Sequence, residues 1–279
     1  MSTTSAEVEE LIDSTVSIPT IPTVLNEITA ILAAPDGSAK DAAAVIERDP
    51  AIATRALRLV NSSFYGLRNP VSNINLGCSI LGLQVLNNLV VQATVLQTFQ
   101  AGECDALDAD WLWDHSFKAA VACRMLAERT DVAGDLTPQD AYTCGLVHDV
   151  GKLILLDSQP ARYGEAMRRS ESRQVPLALA EREVFGFDHA HVGGTLARRW
   201  KLAPSVQDAV MFHHSAVTTA DGWARGLLVK AANSYAHLAS SRDAGWRGDV
   251  LDHEALMALG LSEAQHVDVL QATAAARGG

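Results

Sequence analysis

Apolar residues recur along this chain at the spacing of a helix, and no stretch alternates as a half-buried strand would. Ile21, Val24, Leu25, Ile28, Ile31 and Leu32 follow the i, i+3, i+4, i+7 rule and share one face. Pro19 and Pro22 punctuate the start of that helix, and Pro35-Asp36-Gly37 ends it. Ser38 is placed to cap a helix through about Glu47. Pro50 opens the next, whose apolar positions Ile52, Ala56, Leu57 and Val60 lead to Asn61. Helices are further predicted over about 73–81, 83–99, 111–130, 138–147, 150–157, 160–172, 176–185, 188–200, 204–213, 223–240 and 253–271. The one run that could pass for a strand, Leu153–Leu156, is flanked by helical sequence. The apolar content, 48% of 279 residues, is mostly Ala, Leu and Val, and aromatics are only 5%. That mixture suits close helix packing around a sizeable core. The fold class expected is all-α.

The polar, acidic stretch from Ala101 to Asp110 is the best boundary, which predicts an N-terminal helical subdomain over 1–104 and a second domain over 105–279. Net charge is -11, and both halves are acidic. The helices at about 38–62 superficially resemble a helix-turn-helix, but the charge argues against nucleic-acid binding. Cys78, Cys104, Cys123 and Cys144 form no C-x-x-C motif and sit among apolar residues, as buried thiols do. The N-terminus lacks signal-peptide character. The most apolar stretch, Leu76–Leu96, is broken by Ser79, Gln84, Asn87, Asn88 and Gln92, so it reads as a buried helix and not a membrane span. A cytoplasmic location and no membrane partner are expected.

The chemistry lies in the histidines. In Gly145-Leu146-Val147-His148-Asp149-Val150-Gly151-Lys152 an apolar helix ends on two adjacent ligand-type residues, and Gly151 is placed to let the chain break away. His115, His189, and the pair His213-His214 each lie in or beside a predicted helix, a rigid mount for a ligand. A lone helical histidine is more often a hydrogen-bonded surface or interface residue than a ligand, which is the reading for His237, His253 and His266. His191, two residues from His189, points away on a helix. The set spread over several helices is what favours a metal site. Nitrogen donors with one clear carboxylate suit Fe, Mn, Zn or Ni better than Ca or Mg.

At these residues the chain resembles the HD superfamily of metal-dependent phosphohydrolases, and within it the HDOD (HD-related output domain) family. The likeness runs from about Ile18 to Ser240. Its pieces are Ile18-Pro19-Thr20-Ile21-Pro22, Glu47–Ile52 with Leu57–Ser62, Ile80-Leu81-Gly82, Trp113–Ala119, Gly145–Gly151, Phe185–Gly194 and Trp200–His214. The resemblance implies an N-terminal helical subdomain packed on an HD-like helical domain. It also implies a regulatory role in bacterial signal transduction through contacts with a signalling protein. His115, His148, Asp149, His189, His213 and His214 fall on positions of the ligand type, and Lys152 matches the Lys of the His-Asp-x-Gly-Lys motif of HD-GYP phosphodiesterases. The last ligand, an Asp in HD enzymes, is matched by Asn233, and Ser215 stands where HD-GYP proteins carry Glu. Asn cannot neutralise a cation as Asp does. The resemblance therefore allows a divalent transition metal at the site, or none, and favours a regulatory module with little or no catalysis. The alternative is a metal-dependent phosphohydrolase acting on a nucleotide or cyclic dinucleotide, with Lys152 stabilising phosphate charge.

Overall fold

A computed structural model describes residues 3–14, 34–48, 50–61, 71–82, 109–215, 223–240 and 252–276, with Val24, Glu27, Ile28, Ala30, Ile31 and Val90 as isolated positions. Every regular element among them is helical, as the periodicity predicts. The elements are α1 (Thr3–Ser14), α2 (Ala39–Ile46), α3 (Pro50–Val60), α4 (Ile74–Leu81), α5 (Ala109–Arg129), a 3-10 turn (Asp131–Ala133), α6 (Pro138–Val147), α7 (Val150–Ser158), α8 (Pro160–Arg173), α9 (Leu177–Phe185), α10 (His189–Arg199), α11 (Pro204–Phe212), α12 (Trp223–Ala239), α13 (His253–Ala258) and α14 (Glu263–Ala275). The single helix expected near 253–271 is two, because Gly260 turns the chain at φ +64°. The opening Ile18–Pro22 motif, most of the helices expected over 21–32 and 83–99, and Cys104 lie outside the described residues. None of the described helices is long and apolar enough to cross a membrane.

The chain divides into two compact units: Pro19–Glu103 with Ala276–Gly279, and Met1–Ile18 with Cys104–Ala275. In the former, α4 packs on α2 and α3. Ser38 caps α2 by accepting from Asp41 N, and Asn73 caps α4 by accepting from Leu76 N. Asn61, just past α3, donates to Val71 O at 2.9 Å and accepts from Val71 N at 2.7 Å, which pins the chain at the approach to α4.

In the latter unit, α5 is the central helix, and α6, α12 and α14 pack around it. The α5–α6 crossing is close because Gly145 carries no side chain: a Cβ there would lie 2.5 Å from Ala119 O. Two further crossings work the same way. A Cβ on Gly151 of α7 would lie 2.0 Å from His189 O at the start of α10, and one on Gly194 would lie 2.8 Å from Met211 Cβ of α11. Thr137 caps α6 with Pro138 in its first turn, and Asp188 caps α10 by accepting from His191 N. Cys123 and Cys144 are buried free thiols in this unit, and Cys78 is one in the other.

Candidate metal centre

Helix ends deliver most of the ligand-type residues to one place. His148 and Asp149 form the turn between α6 and α7, His189 begins α10, and His213 and His214 follow α11. His115 comes from the second turn of α5. The helix expected over 150–157 follows directly, and Gly151 does not break the chain. Helix resumes at Val150, and Gly151 sits inside α7, where its missing side chain admits the His189 carbonyl. That contact brings the Asp149 turn and His189 together.

His115, His148, Asp149, His189 and His213 are all buried, with exposures of 0–1%. Asp149 is the hub. Its Oδ2 lies 3.6 Å from His115 Nε2, 3.3 Å from His148 Nε2 and 2.8 Å from Lys152 Nζ. Its Oδ1 lies 3.2 Å from His189 Nε2. His214 Nε2 is 2.9 Å from His189 Nε2. Two donor sets result, His115/His148/Asp149 and His189/His213/His214, and within each set the donor atoms lie within 4.8 Å of one another.

The imidazoles are oriented by their outer nitrogens. His148 Nδ1 donates to Gly145 O at 2.7 Å and His213 Nδ1 to Val210 O at 2.6 Å. Donation from Nδ1 leaves the Nε2 lone pair of a neutral ring for another partner. Nε2 of both residues is buried without a hydrogen bond. His189 Nδ1 donates to Glu181 Oε2 at 2.6 Å, the carboxylate–histidine arrangement that raises the basicity of a ligand and fixes its ring. His115 differs: neither ring nitrogen has a hydrogen-bond partner. Its ring is held by packing, with Trp111 stacked at 5.3 Å between centroids and His237 at 4.5 Å. Buried, unpartnered imidazole nitrogens converging beside a carboxylate are the donor chemistry a divalent transition ion requires.

Burial pushes the Asp149 carboxyl up, but the electrostatic influence of His148 and Lys152 and the contacts from His148 and His189 outweigh it and hold it well below the usual carboxylate range. Burial lowers His115, and the neighbouring His237 lowers it further. Burial likewise lowers His213, aided by His214 and His148. Burial opposes the charged form of His189 too, yet Glu181 prevails and lifts it to about 10.

Asn233 lies on α12, 7% exposed, with no hydrogen-bond partner for Oδ1. It lines a cavity of about 510 Å³ together with His214, Arg182, Lys230, Asp252 and His253. His191 bonds the capping Asp188 at 2.7 Å. His266 pairs with Tyr235 away from these donors. Two residues escape the sequence reading. Glu181 is a second buried carboxylate at the site, and its only sequence signal is an acidic residue on the apolar face of α9 beside Leu177, Ala178, Ala180 and Phe185. His237, read from the sequence as a surface or interface residue, packs against His115 and Trp111, one turn beyond Asn233 on the same helix.

A model of the HDOD domain family matches residues 18–216. An uncharacterized protein of Treponema pallidum is 27% identical over 211 residues, which is 76% of this chain, and the chain spans 40% of that relative's length. An HDOD domain protein of unknown function from Geobacter sulfurreducens, 25% identical, superposes with a TM-score of 0.74 over 97% of each chain. A candidate phosphohydrolase from Shewanella amazonensis, 23% identical, superposes with a TM-score of 0.70 over 96% of this chain and 98% of its own, a likeness of fold alone.

Proposed function

Because this chain belongs to the HDOD domain family, within the HD superfamily, we propose that it is a regulatory module of bacterial signal transduction whose HD-like centre binds a divalent transition metal without hydrolytic turnover. The observation that carries this reading is the make-up of the centre. Imidazoles and a single carboxylate, Asp149, face the donor sets, and that carboxylate is already paired with Lys152 at 2.8 Å. Hydrolysis through two metals relies on their shared charge to activate water and clamp a phosphate. Asn233, where an HD enzyme carries Asp, supplies no charge to support that pair of ions.

In this reading His189, His213, His214, Asp149, His148 and His115 offer the ligands, and the imidazole content suits Zn, Fe, Ni or Mn. The bound ion supplies Lewis acidity and fixed positive charge. Glu181, Gly145 O and Val210 O orient the rings. Fold likeness does not by itself carry a reaction from one protein to another, so the hydrolytic alternative rests only on the near-complete histidine set. The test is elemental analysis of freshly purified protein, joined to a phosphodiester hydrolysis assay with bis(p-nitrophenyl) phosphate and a nucleotide panel. Bound metal, lost in Asp149→Ala, with no turnover is expected. Metal-dependent turnover abolished by the same substitution would establish the hydrolase instead, and protein that takes up no metal would overturn the metal centre.

A further inference from the structure

We infer that Lys152 restricts the centre to one divalent ion, held on the Oδ1 side of Asp149 by His189, His213 and His214. The inference rests on the metal-centre reading above and assigns that centre's occupancy.

The two oxygens of Asp149 serve different neighbours. Oδ2 faces His115 and His148, but it also receives the Lys152 ammonium at 2.8 Å. Lys152 is only 2% exposed, so water cannot screen its charge or carry it elsewhere. A buried ammonium stripped of its carboxylate is strongly unfavourable, so Lys152 does not yield Oδ2 easily. A divalent ion seated among His115, His148 and Oδ2 would share that oxygen with a fixed positive charge.

Oδ1 faces an imidazole, itself a candidate ligand, and no ammonium. It is buried without a hydrogen bond and lies 3.2 Å from His189 Nε2. A second carboxylate also supports this side, because Glu181 backs His189 through Nδ1 at 2.6 Å. A second, independent feature agrees. His189 and His213 are oriented by hydrogen bonds from Nδ1; in the other set His148 is so fixed but neither nitrogen of His115 is. Ligands held in place by outer hydrogen bonds bind more tightly. The Oδ1 set therefore meets no buried ammonium and is backed by a second carboxylate, and Lys152 takes the place a second cation would need.

The test uses the whole chain loaded with zinc. Crystals of the unmodified protein, diffracted at the zinc absorption edge, should give one anomalous peak among His189, His213, His214 and Asp149 Oδ1, and elemental analysis should give one zinc per chain. Lys152→Gln should raise the count to two, with the new peak beside His115 and His148, whereas Lys152→Arg, which keeps the charge, should stay at one. Two ions in the unmodified chain, or a lone peak beside His115 and His148, would overturn the inference and leave the metal centre standing. A folded Lys152→Gln protein that still holds one ion would overturn the role of Lys152. Zinc absent from every form would overturn the metal centre itself. Should Lys152→Gln fail to fold, the position and number of ions in the unmodified chain decide alone.

Discussion

Asp149 and Lys152 are both almost fully buried, and each neutralises the other at 2.8 Å. Removing one leaves the other's buried charge without its closest counter-ion. Asp149→Ala should therefore cost the metal-free protein about 3–5 kcal/mol in denaturant unfolding, while Asp149→Ala with Lys152→Met should recover much of that loss. The histidines set a pH dependence of their own. His115 and His213 are lowered on folding, so below about pH 6.5 the unfolded chain takes up protons that the folded chain refuses, and stability falls with acid. His189 is raised to about 10, so its contribution is complete below about pH 6.5 and is lost as pH rises towards 10. Metal-free protein should accordingly be most stable near neutrality, as urea melts across pH 5 to 10 would reveal. Zinc binding at pH 8 should displace the His189 proton, which calorimetry in two buffers of different ionisation enthalpy measures directly. At this scale the sequence was informative where residue type is itself the chemistry: His148, Asp149, His189 and His213 declare themselves. Glu181 and His237 do not, because their roles come from helices that meet only in the folded chain.

Among the elements, placement of the centre depends on where helices approach one another without side chains between them. Gly151 marks such a point, where α7 passes the first residue of α10, and a Cβ would lie 2.0 Å from His189 O and 2.9 Å from Gly193 N. Both are backbone atoms and cannot swing aside. Gly151→Ala should cost about 3 kcal/mol and weaken zinc binding, because it drives His189 away from Asp149. Gly164, inside α8, is the contrasting case. A Cβ there meets only the mobile end of Arg168, at 3.4 Å, so Gly164→Ala should stabilise the protein by about 0.5–1 kcal/mol and leave zinc affinity unchanged. Parallel thermal melts and zinc titrations of the two variants separate the effects. Sequence patterns located these helices to within a residue or two because apolar spacing is a local signal. They left Gly151 open between a turn and a close helix contact, because a glycine required by a crossing helix looks the same, in sequence, as a glycine that ends one.

For the whole molecule, composition and period were enough for the all-α class, since the 3.6-residue repeat recurs in both halves and leaves a sheet no material. The N-terminal helix was not legible. Val8, Leu11 and Ile12 have helical spacing, but α1 is brief and begins among Ser and Thr, so its apolar stripe is easily passed over. The structure gives it a definite place. Val8, Leu11 and Ile12 are 1–5% exposed, and α1 packs on α10 and α7, the two helices that carry His189 and follow Asp149. Arg199 of α10 also reaches back to Glu9 at 2.9 Å and Asp13 at 2.7 Å. These two attachments differ in strength. The ion pairs are partly solvated, so Arg199→Ala should cost at most about 1 kcal/mol. Ile12 is 1% exposed, and Ile12→Ala should cost about 2–5 kcal/mol through lost burial and the cavity left behind. Denaturant unfolding of the two variants would decide whether α1 is held by its apolar stripe or by its charges. An Arg199→Ala loss equal to that of Ile12→Ala would mean that the charges dominate. The expected order, with Ile12 the larger, makes α1 a structural buttress of the helices that frame the centre.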